Sequence, residues 1–458
     1  MKGQSTWSYA PYRPFLFDTG DVYISRLAPS AKSIRVEWLP VGKGDYSIFA
    51  RVRDEGEFAL CGTTSECGFD ITGVSDGKDY ELFVTQGEKK SRVRLARCAD
   101  AVGTVINYLH PDDTAYEFSG RYLCSPSLLV HPDGYMLASM DLFEGSAPQN
   151  LTLIYRSDDG GRSWHYQTEL MPCFWGKLFL HRGDVYMLAV STEYGDLIIS
   201  RSSDGGKSFP APTVLLRGSG GKAGGTGIHK NPQPVLYFNG RIYGTLEWGS
   251  WSDKHGYFHA AMVMSADENA DLLDPSSWHF TPPLKYDPTW DGAAPDGKRA
   301  TLEGTLTVAP DGKLYNIMRY QTNEKKVLAY RVREDDPDAP LEYSHAISFP
   351  ANLSKFMIKR DAASGIYYTV ASRRKGDPET KRNLLSLLAS DDLREWRTVC
   401  DLIDRSCDDP EAVGFQYADF EFSGDDIIYQ SRTAMNGAHN FHDANYATFH
   451  TVKDFRTL

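Results

Sequence analysis

Aromatic and charged side chains recur where the apolar runs of this chain begin and end. Trp175 and Lys177 open one run, and Glu193 and Tyr194 follow the next. His229 with Lys230, then Glu247 with Trp248, repeat the arrangement, and Lys355 opens a later run. His439, His442 and Asp443 lie in the closing segment AHNFHDANYATFH. Each residue alone suits a satisfied polar position or a solvated loop. Gathered at one mouth of a fold, they would make a polar pocket with an aromatic rim. Carbohydrate sites are built this way, with aromatic faces stacking on sugar rings and charges gripping hydroxyls. A metal centre from His439 and His442 would need further ligands, and the sequence offers none at suitable spacing. No metal and no other cofactor is expected.

The elements that must position these residues are short strands. Six hairpins can be read in order: PSLLVHPDGYMLASMD, KLFLHRGDVYMLAVS, QPVLYFNGRIYGTLEW, GTLTVAPDGKLYNIMRY, SKFMIKRDAASGIYYTVAS and ADFEFSGDDIIYQSRT. Their centres are Pro132-Asp133-Gly134, Arg182-Gly183-Asp184, Asn239-Gly240, Asp311-Gly312, Ser364-Gly365 and Gly424-Asp425. Such residues tolerate the positive φ that tight hairpin turns demand. Repetition at about 50–70 residues points to units arranged around an axis. A six-bladed β-propeller meets that requirement and leaves few open sheet edges.

The first part of the chain reads differently. SIRVEWLP places Ile34, Val36 and Trp38 on one face, and YSIFARVR and YELFVTQ keep the same two-residue period. The stretch ISRLAPSAKSIRVEW…YELFV…SRVRL resembles a fibronectin type III domain. The expected organisation is therefore a small β-sandwich at 1–97 and a propeller at 98–458, an all-β fold throughout.

Composition limits the partners. With a net charge of −12 and no basic run, a nucleic-acid partner is not expected. No apolar stretch approaches the ~20 residues of a membrane span, and MKGQSTWSYAPYRPF lacks a secretion signal. The seven cysteines are odd in number and show no knuckle spacing, so reduced thiols and a cytoplasmic location are expected. A secreted chain trimmed of its signal would read the same.

Two further segments are near copies of each other. SDDGGRSW carries Ser157, Asp159, Gly161 and Trp164, and SSDGGKSF carries Ser202, Asp204, Gly206 and Phe209 at the same spacing. ASDDLREW is a degenerate third copy without the glycine. The pattern is similar to the Asp-box of sialidase propellers, a turn motif remote from chemistry. With it, the region Cys124 to Thr433 resembles the sialidase superfamily. The resemblance assigns Glu303 and Arg319 in LEGTLTVAPDGKLYNIMR, Arg382 in RNLLSLLASDD and Tyr417 in QYADFEFSGDDIIYQSR. It implies a tyrosine nucleophile with Glu303 as its base, and Arg319 and Arg382 holding a sugar carboxylate. Elementary chemistry agrees, because a tyrosine with a pKa near 10 needs a base beside it and paired guanidinium groups suit a carboxylate. The competing reading is a structural ion-pair network.

Two departures bear on activity. Cys124 stands where sialidases place the first arginine, while Pro126 is kept, and Arg121 falls three residues earlier. The loop EGSAPQN lacks the acid/base aspartate, leaving Asp141 and Glu144 as the nearest carboxylates. Three functions are weighed. The first is an exo-acting glycosidase for an acidic sugar, with Tyr417, Glu303 and Asp141 catalytic. Its substrate contacts are Arg319, Arg382, His229, Lys230, Trp175, Lys177, Glu247, Lys355 and His442. The second is a lyase for uronate glycans, with Tyr417 or His229 as base. The third is a carbohydrate-binding propeller without chemistry. An acidic oligosaccharide is the expected partner of either enzyme.

Overall fold

The computed structural model of the protein describes residues 21–218, 225–251, 258–295, 301–376 and 379–458. The first 20 residues of the expected 1–97 unit therefore lie outside the described residues. Regular structure is almost entirely antiparallel strand, with short 3-10 turns at Pro275–Ser277 and Phe455–Thr457. Among the described residues no helix is long and apolar enough to cross a membrane.

A small β-sandwich comes first. One sheet pairs Ile24–Pro29, Ser33–Trp38 and Gly68–Thr72, and the other is built on Tyr46–Val52 and Asp79–Gln86. The alternating residues Ile34, Val36 and Trp38 are buried as their period requires, and Trp38 packs on Tyr46 at 5.2 Å between ring centroids. Buried Arg26 fastens the sandwich to the propeller by donating to the Ile106 and Val105 carbonyls at 2.8 and 2.9 Å. Arg94 pairs with buried Asp113 at 2.6 Å.

Six blades follow. The innermost strands are Tyr122–Val130, Phe174–His181, Gly227–His229 with Leu236–Phe238, Thr301–Val308, Lys359–Arg360 and Gly414–Ser423. Their hairpin partners are Met136–Phe143, Asp184–Val190, Arg241–Gly249, Leu314–Tyr320, Tyr367–Ser372 and Asp426–Ala434. The turn residues behave as their chemistry dictates. Arg182-Gly183 and Asn239-Gly240 both have positive φ, as do Gly134, Gly312, Gly365 and Gly424. The last blade takes its outermost strand, Thr104–Tyr108, from the beginning of the propeller, pairing Tyr108 with Tyr446 and Thr104 with Phe449. The ring is thus closed by hydrogen bonds rather than by the chain.

Around the axis, side chains tie blade to blade. Asp419 accepts from the Leu128 N–H at 3.0 Å and from Lys177 at 2.5 Å. Ser127 accepts from the Leu178 N–H, and Thr305 from the Ile358 N–H.

The two near-identical turns are built alike. Asp159 accepts from the Arg162 and Ser163 N–H groups, and Ser157 Oγ accepts from the Gly161 N–H. Asp204 and Ser202 do the same in the next blade. Trp164 is fully buried beneath the first turn. Gly161 has φ +87°, and a Cβ there would lie 2.1 Å from a ring carbon of Phe449 in the last blade. Gly161→Ala is therefore expected to lower stability by about 2 kcal/mol or more, read from the denaturation midpoint. A shift below a few tenths would show that the turn does not bear on ring closure.

Candidate active site

Four innermost strands carry a bulge at the same step. The ladder shifts between Cys124 and Ser127, Phe174 and Lys177, Leu302 and Thr305, and Gln416 and Asp419. Inside each bulge one non-glycine residue is left-handed: Ser125 (φ 52°), Trp175 (52°), Glu303 (55°) and Tyr417 (57°). Such backbone costs on the order of 1 kcal/mol or more per residue and re-aims a side chain. All four side chains line a single cavity of about 440 Å³ at one mouth of the propeller. Residues opposite the bulges, on the hairpin partner strands, supply further polar groups. Cys124 faces Asp141, Leu302 faces Arg319 and Gln416 faces Arg432, and in the third blade, whose inner strand has no such bulge, His229 faces Glu247.

The central contact joins Tyr417 and Glu303. The Tyr417 hydroxyl donates to Glu303 Oε1 at 2.7 Å. Arg319 Nη1 donates to Glu303 Oε2 at 2.5 Å and to the Tyr417 oxygen at 3.1 Å. Burial pushes the Glu303 carboxyl up, but the Arg319 and His229 charges and the hydrogen bonds from Arg319 and Tyr417 together outweigh it and hold the group below the usual range. Burial and the Glu303 charge raise the Tyr417 hydroxyl, against the pull of Arg319, Arg382 and Arg432. The resting pair is therefore a neutral tyrosine on a carboxylate.

Two more guanidinium groups surround this pair. Arg382 lies 5.6 Å from the Tyr417 ring centroid and Arg432 lies 5.3 Å from it. Arg319 and Arg382 converge on the Leu353 carbonyl, at 2.9 and 3.3 Å, and both line an adjoining cavity of about 680 Å³. Burial, with Arg319 and Arg432 alongside, lowers Arg382 to about 10. Arg382 is thus a cation short of counter-charge.

Arg432 was not singled out from the sequence. It lines the cavity beside Cys124 and donates to the His442 carbonyl at 2.5 Å. The signal was present, because LYNIMRY and IIYQSRT place Arg319 and Arg432 at the same step of their hairpins. Cys124 thus has a guanidinium beside it from the last blade. Arg121 is engaged elsewhere, clasping Glu144 at 2.6 Å.

Of the other expected residues, Trp175, His229 and His442 line the cavity, together with Glu193, Tyr194 and Trp251. His229 Nδ1 lies 2.6 Å from Glu247 Oε2, so Glu247 orients the imidazole from beneath. Trp175 packs on His229 at 4.4 Å.

Arg319 and Arg382 line the adjoining cavity rather than this one, and five expectations need correction, because Glu247, Asp141, Lys177, Lys230 and Lys355 are among the lining residues of neither. Asp141 accepts from Thr152 Oγ1 at 2.5 Å and from the Trp175 N–H at 2.6 Å, and burial raises it to about 7. It holds the bulge of Trp175 in place. Lys177 is spent on Asp419. Buried Lys230 donates to the Trp175 and Asn231 carbonyls, and burial lowers it to about 7. Lys355 is wholly buried and lowered by burial to about 8. These lysines belong to the interior beneath the site.

A larger cavity of about 780 Å³ lies at the far end of the same strands, lined by Val130, Phe179, Leu306 and Tyr237. Lys359 and Glu421 there pair with each other at 2.6 Å, and the lining is mostly apolar. The reactive groups are all at the other mouth.

No protein-family profile matches the chain, and no curated protein matches it. Solved structures do. The Hadza microbial sialidase Hz136 is similar over 97% of this chain and 98% of its own, at 13% identity and a TM-score of 0.52. The α-L-arabinanase of Penicillium chrysogenum, complexed with arabinobiose, covers 78% of this chain and 99% of its own, at 14% identity and 0.51. A protein of unknown function from Dyadobacter fermentans covers 77% and 99%, at 12% identity and 0.50. At such identities the likeness concerns the fold. The chain is an all-β protein, a six-bladed propeller behind a small β-sandwich.

Proposed function

We propose that the protein is an exo-acting glycoside hydrolase for a carboxylate-bearing sugar. The observation that carries this reading is the Tyr417–Glu303–Arg319 contact at a cavity lined by Arg432, with Arg319 and Arg382 on the adjoining one. In the first step the Tyr417 oxygen bonds to the anomeric carbon and its proton passes to Glu303 Oε1. The bond to the leaving oxygen breaks, and that oxygen takes a proton from an acid. Glu193 is the better acid than Asp141, because it lines the cavity and is held by Gln149 Nε2 at 2.7 Å. In the second step water replaces Tyr417 at carbon, gives its proton to Glu193, and Tyr417 recovers its proton from Glu303. A neutral nucleophile suits a centre beside a carboxylate, where an anionic one would be repelled. Arg382, short of counter-charge, and Arg432 would hold that carboxylate. The amino-terminal unit is read as fibronectin type III-like with a boundary near residue 97, a reading supported by its two antiparallel sheets, one of three strands and one of five.

One observation favours a second reading. His229, oriented by buried Glu247, is built as a base. In a lyase it would take the proton beside a uronate carboxylate that the arginines neutralise.

A panel of sialylated and uronate oligosaccharides, followed by reducing ends and ultraviolet absorbance together, separates the readings. New reducing ends without absorbance are expected. Absorbance from a conjugated double bond would move the chemistry to His229, and no product across the panel would leave a binding propeller.

A further inference from the structure

We infer that the amino-terminal sandwich positions the arginines of the active site, acting through the loop at residues 435–445. The sandwich does not only pack against the propeller's side. It also reaches this loop at three points. First, Arg53, just beyond the sandwich strand Tyr46–Val52, donates to Asp112 Oδ2 at 2.7 Å. Asp112 Oδ1 lies 3.1 Å from His439 Nε2, and His439 Nδ1 lies 2.8 Å from the Tyr122 hydroxyl. One carboxylate thus bridges a sandwich arginine to a loop histidine. Second, Asn436 Nδ2 donates to the carbonyl of Asp100, in the segment that leaves the sandwich. Third, Gly437 (φ +87°) lies against Arg97 of the sandwich strand Arg94–Arg97. A Cβ on Gly437 would be 2.2 Å from Arg97 Nη1. Arg97 cannot easily move away, since Asp79 holds it at 2.7 and 3.1 Å.

The other side of the same loop holds the site. The Phe441 carbonyl accepts from Gln416 Nε2 at 2.5 Å, and Gln416 Oε1 in turn accepts from Arg382 Nη1. The Phe441 ring lies 5.4 Å from the Arg382 guanidinium carbon. The His442 carbonyl accepts from Arg432 Nη2 at 2.5 Å, and His442 lines the cavity. One residue separates the clasped His439 from the arginine-holding Phe441, and two separate it from His442. At the loop's neck, Asn445 bonds both the N–H and the carbonyl of Met435, which ties the two ends of the segment together.

Arg53, Asp112, His439 and Gly437 are therefore positioning residues. Breaking one exposed pair is worth about a fivefold effect at most. Gly437→Ala forces both a clash and a strained φ, so about tenfold or more is expected. The kinetic side of the proposal rests on the reading of Arg382 and Arg432 as substrate contacts. The structural side does not.

The test uses the full chain and two readouts. Hydrogen exchange of the peptide spanning 436–443 is measured in Asp112→Ala, Arg53→Ala and Gly437→Ala, with Asp70→Ala as a sandwich-surface control. Binding of N-acetylneuraminate and glucuronate is measured on the same proteins. Faster exchange in the loop, weaker binding by the factors above and no change in the control are expected. Adding Arg97→Ala to Gly437→Ala should restore part of the protection, because the clash partner is gone while the strained φ remains. Unchanged exchange in the three variants overturns the proposal whatever the ligand. Faster exchange with unchanged affinity overturns the positioning role. A wild-type protein that binds neither acid counts against the hydrolase reading, and the exchange data then decide the clasp alone.

Discussion

Tyr417→Phe is expected to lower kcat by about 10³-fold or more while leaving KM for the true substrate within a few fold. The variant loses the attacking oxygen and nothing that grips the substrate. Arg319 still pairs with Glu303 at 2.5 Å, so the buried carboxylate keeps its counter-charge and the fold keeps its stability. The pH profile offers a second check. Glu303 must be ionised to receive the tyrosine proton, and it is held below its ordinary value, so the acid limb of kcat/KM should fall below pH 4.5. The sign for stability is the same. A depressed carboxyl contributes fully above the unfolded value near 4.5 and loses that contribution as pH falls through the folded one. Tyr417 is raised, so its own ionisation adds no alkaline limb below 10. If the phenylalanine variant keeps a tenth of wild-type turnover, the covalent role of Tyr417 is wrong.

The largest stability effect is expected away from the chemistry. Asp419 and Lys177 are 0% and 3% exposed and pair at 2.5 Å, where the last, first and second blades meet. Asp419→Ala would strand a buried ammonium and leave the Leu128 N–H without its acceptor. A cost of about 3–5 kcal/mol is expected by chemical denaturation. Pairing Lys177→Met with Asp419→Leu should recover much of it, because no charge is then left buried. A loss under 1 kcal/mol for Asp419→Ala would show that the axial pair does not hold the ring.

Much of this arrangement was legible in the sequence, for identifiable reasons. The hairpins were readable because period-two runs flank residues that tolerate positive φ, as at Asn239-Gly240. Glu303 and Tyr417 were readable because each lies near the start of an apolar run that leads into a hairpin turn, and the structure brings them to 2.7 Å. Lys177 was misread for a physical reason. Simple alternation puts residues 175 and 177 on one face, but the bulge between Phe174 and Lys177 breaks the period. Trp175 turns to the cavity and Lys177 turns to Asp419. Lys230 and Lys355 were misplaced because a charged residue at a strand end looks solvent-facing, whereas both are buried. Arg432 was missed although it stands at the same hairpin step as Arg319, because its role depends on facing Gln416, one residue before Tyr417, across the hairpin.

The four bulges have a wider consequence. Each is a seat of the same shape, and its occupant is chosen by one codon, with no loop to redesign. Ser125 is the smallest occupant, seated beside tryptophan, glutamate and tyrosine in the other three. The left-handed backbone at 125 is the one that tryptophan, glutamate and tyrosine already occupy in the other three seats, so a side chain of those kinds at 125 would share their aim. On such a scaffold, chemistry changes by exchanging guests at fixed places round a table, and lineages built on it can diverge in reaction while their blades stay superimposable.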